Sequence, residues 1–341
     1  MNNEHQLTPG PLLNEDGNLI EAGYAFSLVK EYDRKKIKGL ISRIKEWDYY
    51  YIGNKDYGVA LTVADNSYMW MVSASFLDFK NKKETTTSPL GFFSFGKLNM
   101  PSTSKDGDVV FQRKKFSFIF RHENGGRHLL VSMNKFGNTK TKFETDLFLE
   151  ETNKDSMVIA TPFDKAKHFY YNQKINLLKA KGFVKINGQT YDFTNSYGVL
   201  DWGRGIWTYK NTWYWSSVNT TYNGERIGWN FGYGFGDTSK ASENMFFYHD
   251  KAYKLKDVKF NIPEKKGKDD YLSPWSITSL SGDINIFFKP ILDRFSDSNV
   301  LLIRSHQHQV FGLFTGNIKI NEEEIHFENI PGFAEKVYNR W

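Results

Sequence analysis

The chain has 341 residues, of which 57 are aromatic (29 Phe, 19 Tyr and 9 Trp). This 17% share excludes a disordered chain, because such chains hold too few large apolar residues to offset the entropy lost on ordering. The absence of cysteine excludes a disulfide scaffold, a thiolate zinc site and a cysteine nucleophile. The net charge of +6 is spread along the chain, without the basic arm or face typical of nucleic-acid-binding proteins.

The N-terminal segment, expected to form an extension over residues 1–19, lacks the apolar core of a signal peptide. No apolar run approaches the length of a membrane-spanning helix, which is about 18 residues. We therefore expect a cytoplasmic protein with no stable membrane insertion and no nucleic-acid partner. No pattern in the sequence sets the oligomeric state.

One segment, residues 33–44, predicts a helix. Its apolar residues follow helical spacing, and Asp33 can cap the first turn. These apolar residues are Ile37, Leu40, Ile41 and Ile44. Gly39 weakens the prediction because glycine disfavours helix interiors.

Short runs of β-branched and aromatic residues recur along the rest of the chain, separated by Asn, Gly and Asp. The clearest are residues 57–65, 116–120, 129–133, 157–160, 213–218, 227–231, 284–288 and 300–303. Asn187-Gly188 and Asn223-Gly224 each lie between two strand-like segments, which is the strongest short signal for a hairpin. This pattern predicts an all-β protein built from antiparallel barrels or sandwiches.

A faint internal repeat favours two related β-domains. Trp47 and Gly58 lie 11 residues apart, as do Trp213 and Gly224, and both segments read as a strand, a polar turn and a second strand. The join is expected near residues 162–168. We therefore predict one barrel over residues 20–165 and a second over residues 166–341.

The segment 201–215 has the highest density of candidate ligand-binding residues. It holds Asp201, Arg204, Tyr209, Tyr214 and four tryptophans at 202, 207, 213 and 215. Tryptophan and tyrosine supply flat apolar walls with one polar group each, which suits a ligand cavity. The pKa of Asp201 should rise among aromatic walls unless Arg204 pairs with it across a turn that the neighbouring glycines allow. A raised pKa would make Asp201 a general acid, whereas a paired carboxylate would be a structural or orienting group.

A second cluster lies on the strand predicted over residues 45–51. Glu46, Asp48 and Tyr50 share one face of that strand, and they point either to solvent or into a barrel. An inward arrangement would be unusual for a plain core, since unpaired buried carboxylates are costly.

Polar residues elsewhere could complete a ligand site. Asn230 and Asn244 offer hydrogen-bond donors and acceptors, and Glu243 is a candidate base or turn cap. His308 is read as a polar residue of a pocket or a sheet edge, because a catalytic zinc site would need a third ligand beyond it and His306. Lys174 either balances an acid or faces water.

Several long segments resemble a bacterial family catalogued only as a domain of unknown function. They include RIKEWDYYYIG at 43–53, GVLDWGRGIWTYKNTWYW at 198–215 and HQVFGLFTG at 308–316. The resemblance extends from Leu13 to Trp341.

The chain is also distantly similar to two-barrel lipocalin-like (calycin-type) proteins, such as carotenoid hydratases of the hydroxyneurosporene synthase type and tocopherol cyclases. The similarity lies in a strand, a hairpin and then Asp201-Trp202-Gly203, which resembles their Asp-x-x-Trp-Gly segment. Here Trp202 follows Asp201 directly. The resemblance implies two tandem antiparallel barrels and a role, without a cofactor, on an apolar or amphipathic small molecule.

Three functions remain open at this level. The first is a cofactor-independent lyase (hydratase) or isomerase (cyclase) that acts in an aromatic-lined hydrophobic cavity, with Asp201 as general acid. The second is a lipid or isoprenoid carrier or sensor, in which Arg204 or Lys174 holds an anionic head group. The third is a carbohydrate-binding or carbohydrate-active protein, since aromatic platforms beside carboxylates also suit sugars.

The candidate site residues follow from these clusters, and no metal ligand is among them. Those expected in catalysis are Asp201, Arg204, Asp48 and Glu46. Those expected to contact ligand are Trp202, Trp207, Tyr209, Trp213, Trp215, Tyr50, Asn230, Glu243, Asn244 and His308.

Overall fold

The computed structural model describes residues 4–300 and 303–340, so residues 301 and 302 of the predicted strand at 300–303 lie outside it. The strands are β1 (Gly10–Pro11), β2 (Gly23–Ala25), β3 (Lys30–Glu31), β4 (Ile44–Gly53), β5 (Tyr57–Asp65), β6 (Met69–Asp78), β7 (Lys83–Thr87), β8 (Leu90–Phe92), β9 (Val109–Arg113), β10 (Phe116–Glu123), β11 (Gly126–Phe136), β12 (Thr141–Glu150), β13 (Met157–Pro162), β14 (Phe169–Ile186), β15 (Gln189–Asp192), β16 (Tyr197–Ile206), β17 (Lys210–Tyr222), β18 (Glu225–Tyr233), β19 (Met245–Tyr248), β20 (Lys251–Lys254), β21 (Lys259–Asn261), β22 (Glu264–Lys265), β23 (Lys268–Asp269), β24 (Trp275–Thr278), β25 (Ile284–Val300), β26 (Ile303–Ile320) and β27 (Glu323–Arg340).

Two large antiparallel sheets make up most of the described chain, beside two small sheets of two strands each, β1-β3 and β22-β23. Sheet I has 14 strands, in the order β7-β6-β5-β4-β16-β14-β12-β11-β10-β9, with β2, β8, β13 and β15 paired at its sides. Sheet II has nine strands, in the order β20-β19-β18-β17-β27-β26-β25-β24-β21. The prediction of an all-β protein is confirmed.

The chain passes from one sheet to the other at residues 207–209, between β16 and β17. The strands that follow the expected join at residues 165/166, from β14 to β16, pair within sheet I. The N-terminal residues also belong to this part of the molecule, because β1 pairs in parallel with β3 and Leu12 is buried in the sheet I core.

Both predicted hairpins are present. Asn187-Gly188 joins β14 to β15, and Asn223-Gly224 joins β17 to β18. All four residues have positive φ, between 50° and 87°, as a two-residue turn that follows the strand twist requires.

The predicted helix over residues 33–44 is wrong. This segment instead forms two short 3-10 helices, Arg34–Lys36 and Ile41–Arg43, and Asp33 caps the first by accepting from the Lys35 amide at 2.8 Å. Gly39 lies between them, and a side chain there would overlap Ile206 of sheet I. Packing against the sheet thus outweighs the helical spacing. No helix in the described residues is long and apolar enough to cross a bilayer.

Each sheet curls around its own apolar core, and two further apolar clusters join the sheets. One of them packs Tyr51 and Val199 of sheet I against Phe311 and Phe333 of sheet II. The other packs Met157 and Tyr170 against Trp207, Phe235 and Phe247. The contact between the sheets is therefore a buried surface, and the candidate site lies within it.

Candidate functional site

Two rows of side chains meet where sheet I packs against sheet II. In sheet I, Lys174, Asp201 and Tyr49 lie opposite one another on β14, β16 and β4. In sheet II, the facing row crosses β17, β27, β26 and β25 and consists of Trp215, Glu335, Gln309 and Arg294. We call the region where these two rows meet the intersheet site.

Direct contacts hold the two rows together. The Gln309 amide donates to the Tyr49 hydroxyl at 3.2 Å. The Lys174 ammonium lies 3.9 Å from the centre of the Trp215 ring, within cation–π range. Tyr49 meets the edge of the same indole, with ring centres 5.9 Å apart. Both polar and aromatic side chains therefore join the row of sheet I to the row of sheet II.

Asp201 is a paired carboxylate. Lys174 Nζ lies 2.9 Å from one of its oxygens, and Asn172 donates to the other at 2.7 Å. Lys174 also lies 3.8 Å from Glu243, so one ammonium serves two carboxylates. Of the two roles that the sequence left open for Asp201, the geometry favours the orienting one.

Glu335 is held differently. Its oxygens accept from the Trp213 indole N–H at 3.0 Å and from the Gln309 amide at 3.0 Å, both of which are neutral donors. Burial raises the pKa of Glu335 from 4.5 to about 7, while the Trp213 hydrogen bond and the charges of Arg294 and Lys174 lower it and Asp201 adds to the rise. This carboxyl group therefore titrates much closer to neutral pH than an ordinary glutamate does.

Glu243 approaches the same site from the loop after β18. Burial raises its pKa, while Lys174 acts in the opposite direction. Asn230 fixes the loop by donating to the Glu243 backbone oxygen at 2.8 Å, and it accepts from the Trp215 indole at 2.6 Å. Gly232 leaves space for the carboxylate, since a Cβ there would lie 3.2 Å from Glu243 Oε2.

Aromatic rings surround one end of the site. Trp47 stacks on Tyr170 with ring centres 5.9 Å apart, and Trp207 meets both Trp47 (5.0 Å) and Trp213 (6.2 Å) at its edges. Trp47 and Trp213 are partly exposed, so this end of the site reaches the surface. Gly203 lets the Trp47 indole cross β16, because any side chain at residue 203 would overlap the ring.

Asp201 does not pair with Arg204, which was one of the two alternatives left open for it, and no turn forms around Arg204. Residues 197–206 form one extended strand, β16, and residues three apart on a strand point to opposite faces. Asp201 faces sheet II, whereas Arg204 points into sheet I and pairs with Asp48 at 3.0 Å. Gly205 also belongs to the extended strand, where a Cβ would overlap the backbone of Phe169.

Five of the predicted site residues lie inside sheet I: Glu46, Asp48, Tyr50, Trp202 and Arg204. The inward alternative for the strand at 45–51 is thus the observed one. Arg204 donates to Trp47 O at 2.7 Å and Pro101 O at 2.8 Å, and its guanidinium lies over the Trp202 ring at 4.3 Å. Glu46 pairs with Arg34 and accepts from the Tyr32 hydroxyl at 2.8 Å.

This interior network has little room for a ligand. Burial raises the pKa of Asp48, against the effect of Arg204. The cavity beside Asp48 and Tyr50 has a volume of about 10 Å³, enough for one water at most. The pair of Arg204 with Asp48 and its hydrogen bonds therefore support sheet I, and the cavity beside them is too small for an organic ligand.

The remaining predicted residues lie outside the two rows. Tyr209 packs under the Arg43 guanidinium at 5.1 Å. Asn244 accepts from the Gly232 amide at 3.0 Å and so shapes the loop that carries Glu243.

His308 lies at a different part of sheet II. It pairs with Asp293 at 2.7 Å and stacks on Tyr271 at 3.7 Å, beside an open cleft of about 650 Å³. In the described part of the chain, no group of three or more His, Asp and Glu side chains is arranged to hold a metal ion.

The sequence reasoning missed Asn172, Tyr170, Gln309, Arg294 and, above all, Glu335. One signal was present for Glu335. Phe333 and Val337 lie two residues before and after Glu335 on β27, so this carboxylate shares a face of the strand with two buried apolar residues. No pattern in the sequence indicated that the row of sheet I would face the row of sheet II, because this arrangement depends on how the two sheets pack.

Comparison with known proteins agrees with this architecture. Residues 3–341 match a family described as a domain of unknown function, DUF2804, and the chain belongs to that family. The chain is also similar to the crystal structure of an AttH protein from Nitrosomonas europaea, with a TM-score of 0.56 and 12% identity over 86% of this chain and 92% of that one. A kievitone hydratase from Nectria haematococca matches with a TM-score of 0.49 and 13% identity over 87% of this chain and 88% of that one. The comparison with curated proteins gives no match.

Both resemblances stated from the sequence are confirmed. The family assignment extends over nearly the whole chain, and the AttH structure has the two-barrel lipocalin-like fold. At 12% identity this similarity concerns the fold alone. The function must therefore be argued from the intersheet site.

Proposed function

We propose that this protein is an enzyme that transfers a proton to or from an apolar small molecule in the intersheet site, with Glu335 as the acid–base group. The observation that carries this proposal is the Glu335 pKa of about 7 in a buried, aromatic setting. A general acid or base is most effective when its pKa lies near the working pH. The acid expected at Asp201 moves to Glu335, because Lys174 and Asn172 already hold the Asp201 carboxylate.

The reaction class that fits is hydration, isomerisation or cyclisation of a C=C bond. Protonated Glu335 gives its proton to one carbon, and a carbocation forms at the other. Water then adds and returns a proton to the carboxylate, or the cation loses a proton elsewhere and the double bond moves. The electron-rich faces of Trp213 and Tyr49, which contact Glu335 and its partner Gln309, would stabilise the cation. The Lys174 ammonium already lies over the Trp215 ring.

The other residues of the site have supporting roles in this proposal. Lys174 and Asp201 form the fixed pair that sets the local field. Glu243, whose pKa is also raised by burial, is placed to take up a proton that leaves the substrate. The partly exposed Trp47 and Trp213 mark the side from which substrate enters.

The two alternative functions have less support in this geometry. A carrier would use Arg204 or Lys174 to hold an anionic head group, but each cation already pairs with a carboxylate, Asp48 or Asp201. A sugar enzyme would need two carboxylates across an open groove. Glu335 instead lies buried between packed sheets.

Deuterium incorporation tests the proposal even while the substrate is unidentified. The protein is incubated in D₂O with an apolar extract of its source cells, and mass spectrometry detects compounds that gain a carbon-bound deuterium. We expect the wild type to label at least one compound and Glu335→Gln to lower the rate about 10²–10⁴-fold, the usual contribution of a general acid.

A variant on the same strand serves as the control for the labelling experiment. Tyr338→Phe, on the same strand, should keep the wild-type rate. Labelling by Glu335→Gln at the wild-type rate would refute the acid assignment. A lipid that copurifies and stays unlabelled would instead favour a carrier.

A further inference from the structure

One end of sheet I, at the turn between β5 and β6, exposes a group of large apolar side chains. Phe92 and Phe93 are 65% and 66% exposed. They belong to a group of exposed residues that we call the apolar rim: Leu40, Ile41, Leu90, Phe92, Phe93 and Phe95. Most exposed apolar residues of a protein are scattered singly, and a group like this one marks an interaction surface.

The two loops that carry the rim meet at the β5–β6 turn. The amides of Phe93 and Phe95 donate to Tyr68 O at 2.8 Å and Ser67 O at 2.9 Å. From the other loop, the Lys45 ammonium donates to Ser42 O at 3.5 Å and to Asn66 O at 3.0 Å. Leu40 and Ile41, which immediately precede Ser42, therefore lie at the same end of the sheet as the three phenylalanines.

The backbone of this loop holds the phenyl rings outward. Phe93 and Phe95 have positive φ, 63° and 45°, which is rare for bulky residues. Between them Ser94 is buried, and its hydroxyl donates to Asp65 at 2.7 Å. The serine anchor thus fixes a strained conformation in which Phe93 lies at the surface against Phe92 and Phe95, with ring centres 6.1 and 6.0 Å apart. Backbone strain of this kind occurs at functional surfaces.

The charge around the rim is positive. Lys35, Lys36, Lys38 and Lys97 are all exposed in the same two loops. Arg34 joins these loops, because a Cβ at Gly96 would lie 2.7 Å from its Nε. The nearby carboxylates Glu46 and Asp65 are buried and turned inward.

We propose that the apolar rim docks on the surface of an anionic lipid bilayer. The phenyl rings would enter the boundary between head groups and acyl chains while the lysines contact the phosphates, which is how interfacial segments bind. The exposed rings form one apolar group with a basic surround, which suits an anionic interface that offers acyl chains beside phosphates. This inference goes beyond the chemistry proposed for the intersheet site and does not depend on it.

Vesicle flotation tests the inference. Full-length protein is mixed with vesicles of phosphatidylcholine alone or of phosphatidylcholine with phosphatidylglycerol, at low and high salt. We expect the wild type to float with the anionic vesicles and the bound fraction to fall at high salt, because salt screens the lysine–phosphate attraction. The double variant Phe92→Ser/Phe93→Ser should bind at least about fivefold less, since it loses two interfacial rings.

Matched controls keep the result interpretable. Leu280→Ser removes an isolated apolar side chain that is 92% exposed elsewhere on the surface, and it should float as the wild type does. Lys35→Gln/Lys36→Gln should lower binding to anionic vesicles at low salt. All these residues are exposed, so thermal unfolding should match the wild type.

Three outcomes would overturn the proposal. They are a wild type that fails to float with anionic vesicles, a phenylalanine variant that floats as well as the wild type, and a wild-type dimer that the same variant makes monomeric, since a second copy would then cover the rim. Deuterium labelling of a substrate in vesicle-free solution would remain unchanged in the phenylalanine variant. Failure of this proposal is thus distinguishable from failure of the proposed reaction.

Discussion

Buried carboxylates occur in two neighbouring regions of this protein, inside sheet I and in the intersheet site, and they are held in different ways. Inside sheet I, Asp48 meets the guanidinium of Arg204, which also satisfies three backbone carbonyls, those of Trp47, Pro101 and Gly203. In the intersheet site, the hydrogen bonds to the Glu335 carboxyl group come, among the described residues, from the neutral donors Trp213 and Gln309. A buried carboxylate is thus a structural anchor in one region and a titratable group in the other.

Strand β16 separates the two regions. Its alternate side chains point to opposite faces, so Arg204 serves the interior and Asp201 serves the intersheet site. The comparison shows that the identity of a carboxylate matters less than whether a charged partner reaches it. Four variants test this contrast, beginning with the one that should lose the most stability.

Removal of the interior cation should have the largest effect on stability. Arg204→Met leaves Asp48 as a buried charge without its partner, and we expect the free energy of unfolding to fall by about 3–5 kcal/mol. Lys181→Met, which breaks an exposed pair with Glu150, should cost less than about 1 kcal/mol. Urea unfolding measures both, and similar small losses would contradict the structural role of Arg204.

The raised pKa of Glu335 should make the free energy of unfolding depend on pH. The folded-state pKa of Glu335, about 7, lies above its ordinary value of 4.5, so between these values the folded state binds more protons than the unfolded state. Stability therefore falls as pH rises through this window, by roughly 2–3 kcal/mol. Glu335→Gln should lack this fall. Parallel pH profiles of the two proteins would contradict the raised pKa.

Trp47 lies so close to Gly203 on β16 that a side chain at residue 203 should destabilise the protein. Gly203→Ala places a Cβ against the indole, and we expect a loss of about 1–3 kcal/mol from overpacking. Tryptophan fluorescence during urea unfolding would report both the stability and the displaced ring. A variant as stable as the wild type would mean that Trp47 can move aside without cost.

Loss of one hydrogen bond between the two rows should have the smallest effect on stability. Tyr49→Phe removes the hydroxyl that accepts from Gln309, and we expect a loss of about 1 kcal/mol in the free energy of unfolding. The Gln309 amide also donates to Glu335, so this second contact limits the loss. A loss above roughly 3 kcal/mol would show that the two rows depend on each other more strongly than separate hydrogen bonds do.

Much of the local structure was predictable because its signals are short-range. The β-branched and apolar run at residues 57–65 predicted β5 with its observed bounds, and Asn187-Gly188 and Asn223-Gly224 predicted two hairpins. The helix predicted over residues 33–44 failed because the position of Gly39 against Ile206 depends on packing with sheet I.

The candidate site was predictable only in part. The residues Asp201, Trp213, Trp215, Asn230 and Glu243 do meet at the intersheet site. Arg204 was grouped with Asp201 because the two are close in sequence, although their odd spacing on a strand should have separated them. Glu335 comes to the site from more than a hundred residues away along the chain, and no local pattern links the two segments.

The fold class, the hairpins and the family were readable from the order of residues, because short β-branched and aromatic runs, turn residues and long motifs are local signals. Which carboxylate is paired and which is free to titrate follows from the packed structure. A pKa depends on the distance to a charge and on the depth of burial, and in this protein both are set by the packing of two sheets whose strands are remote in the chain.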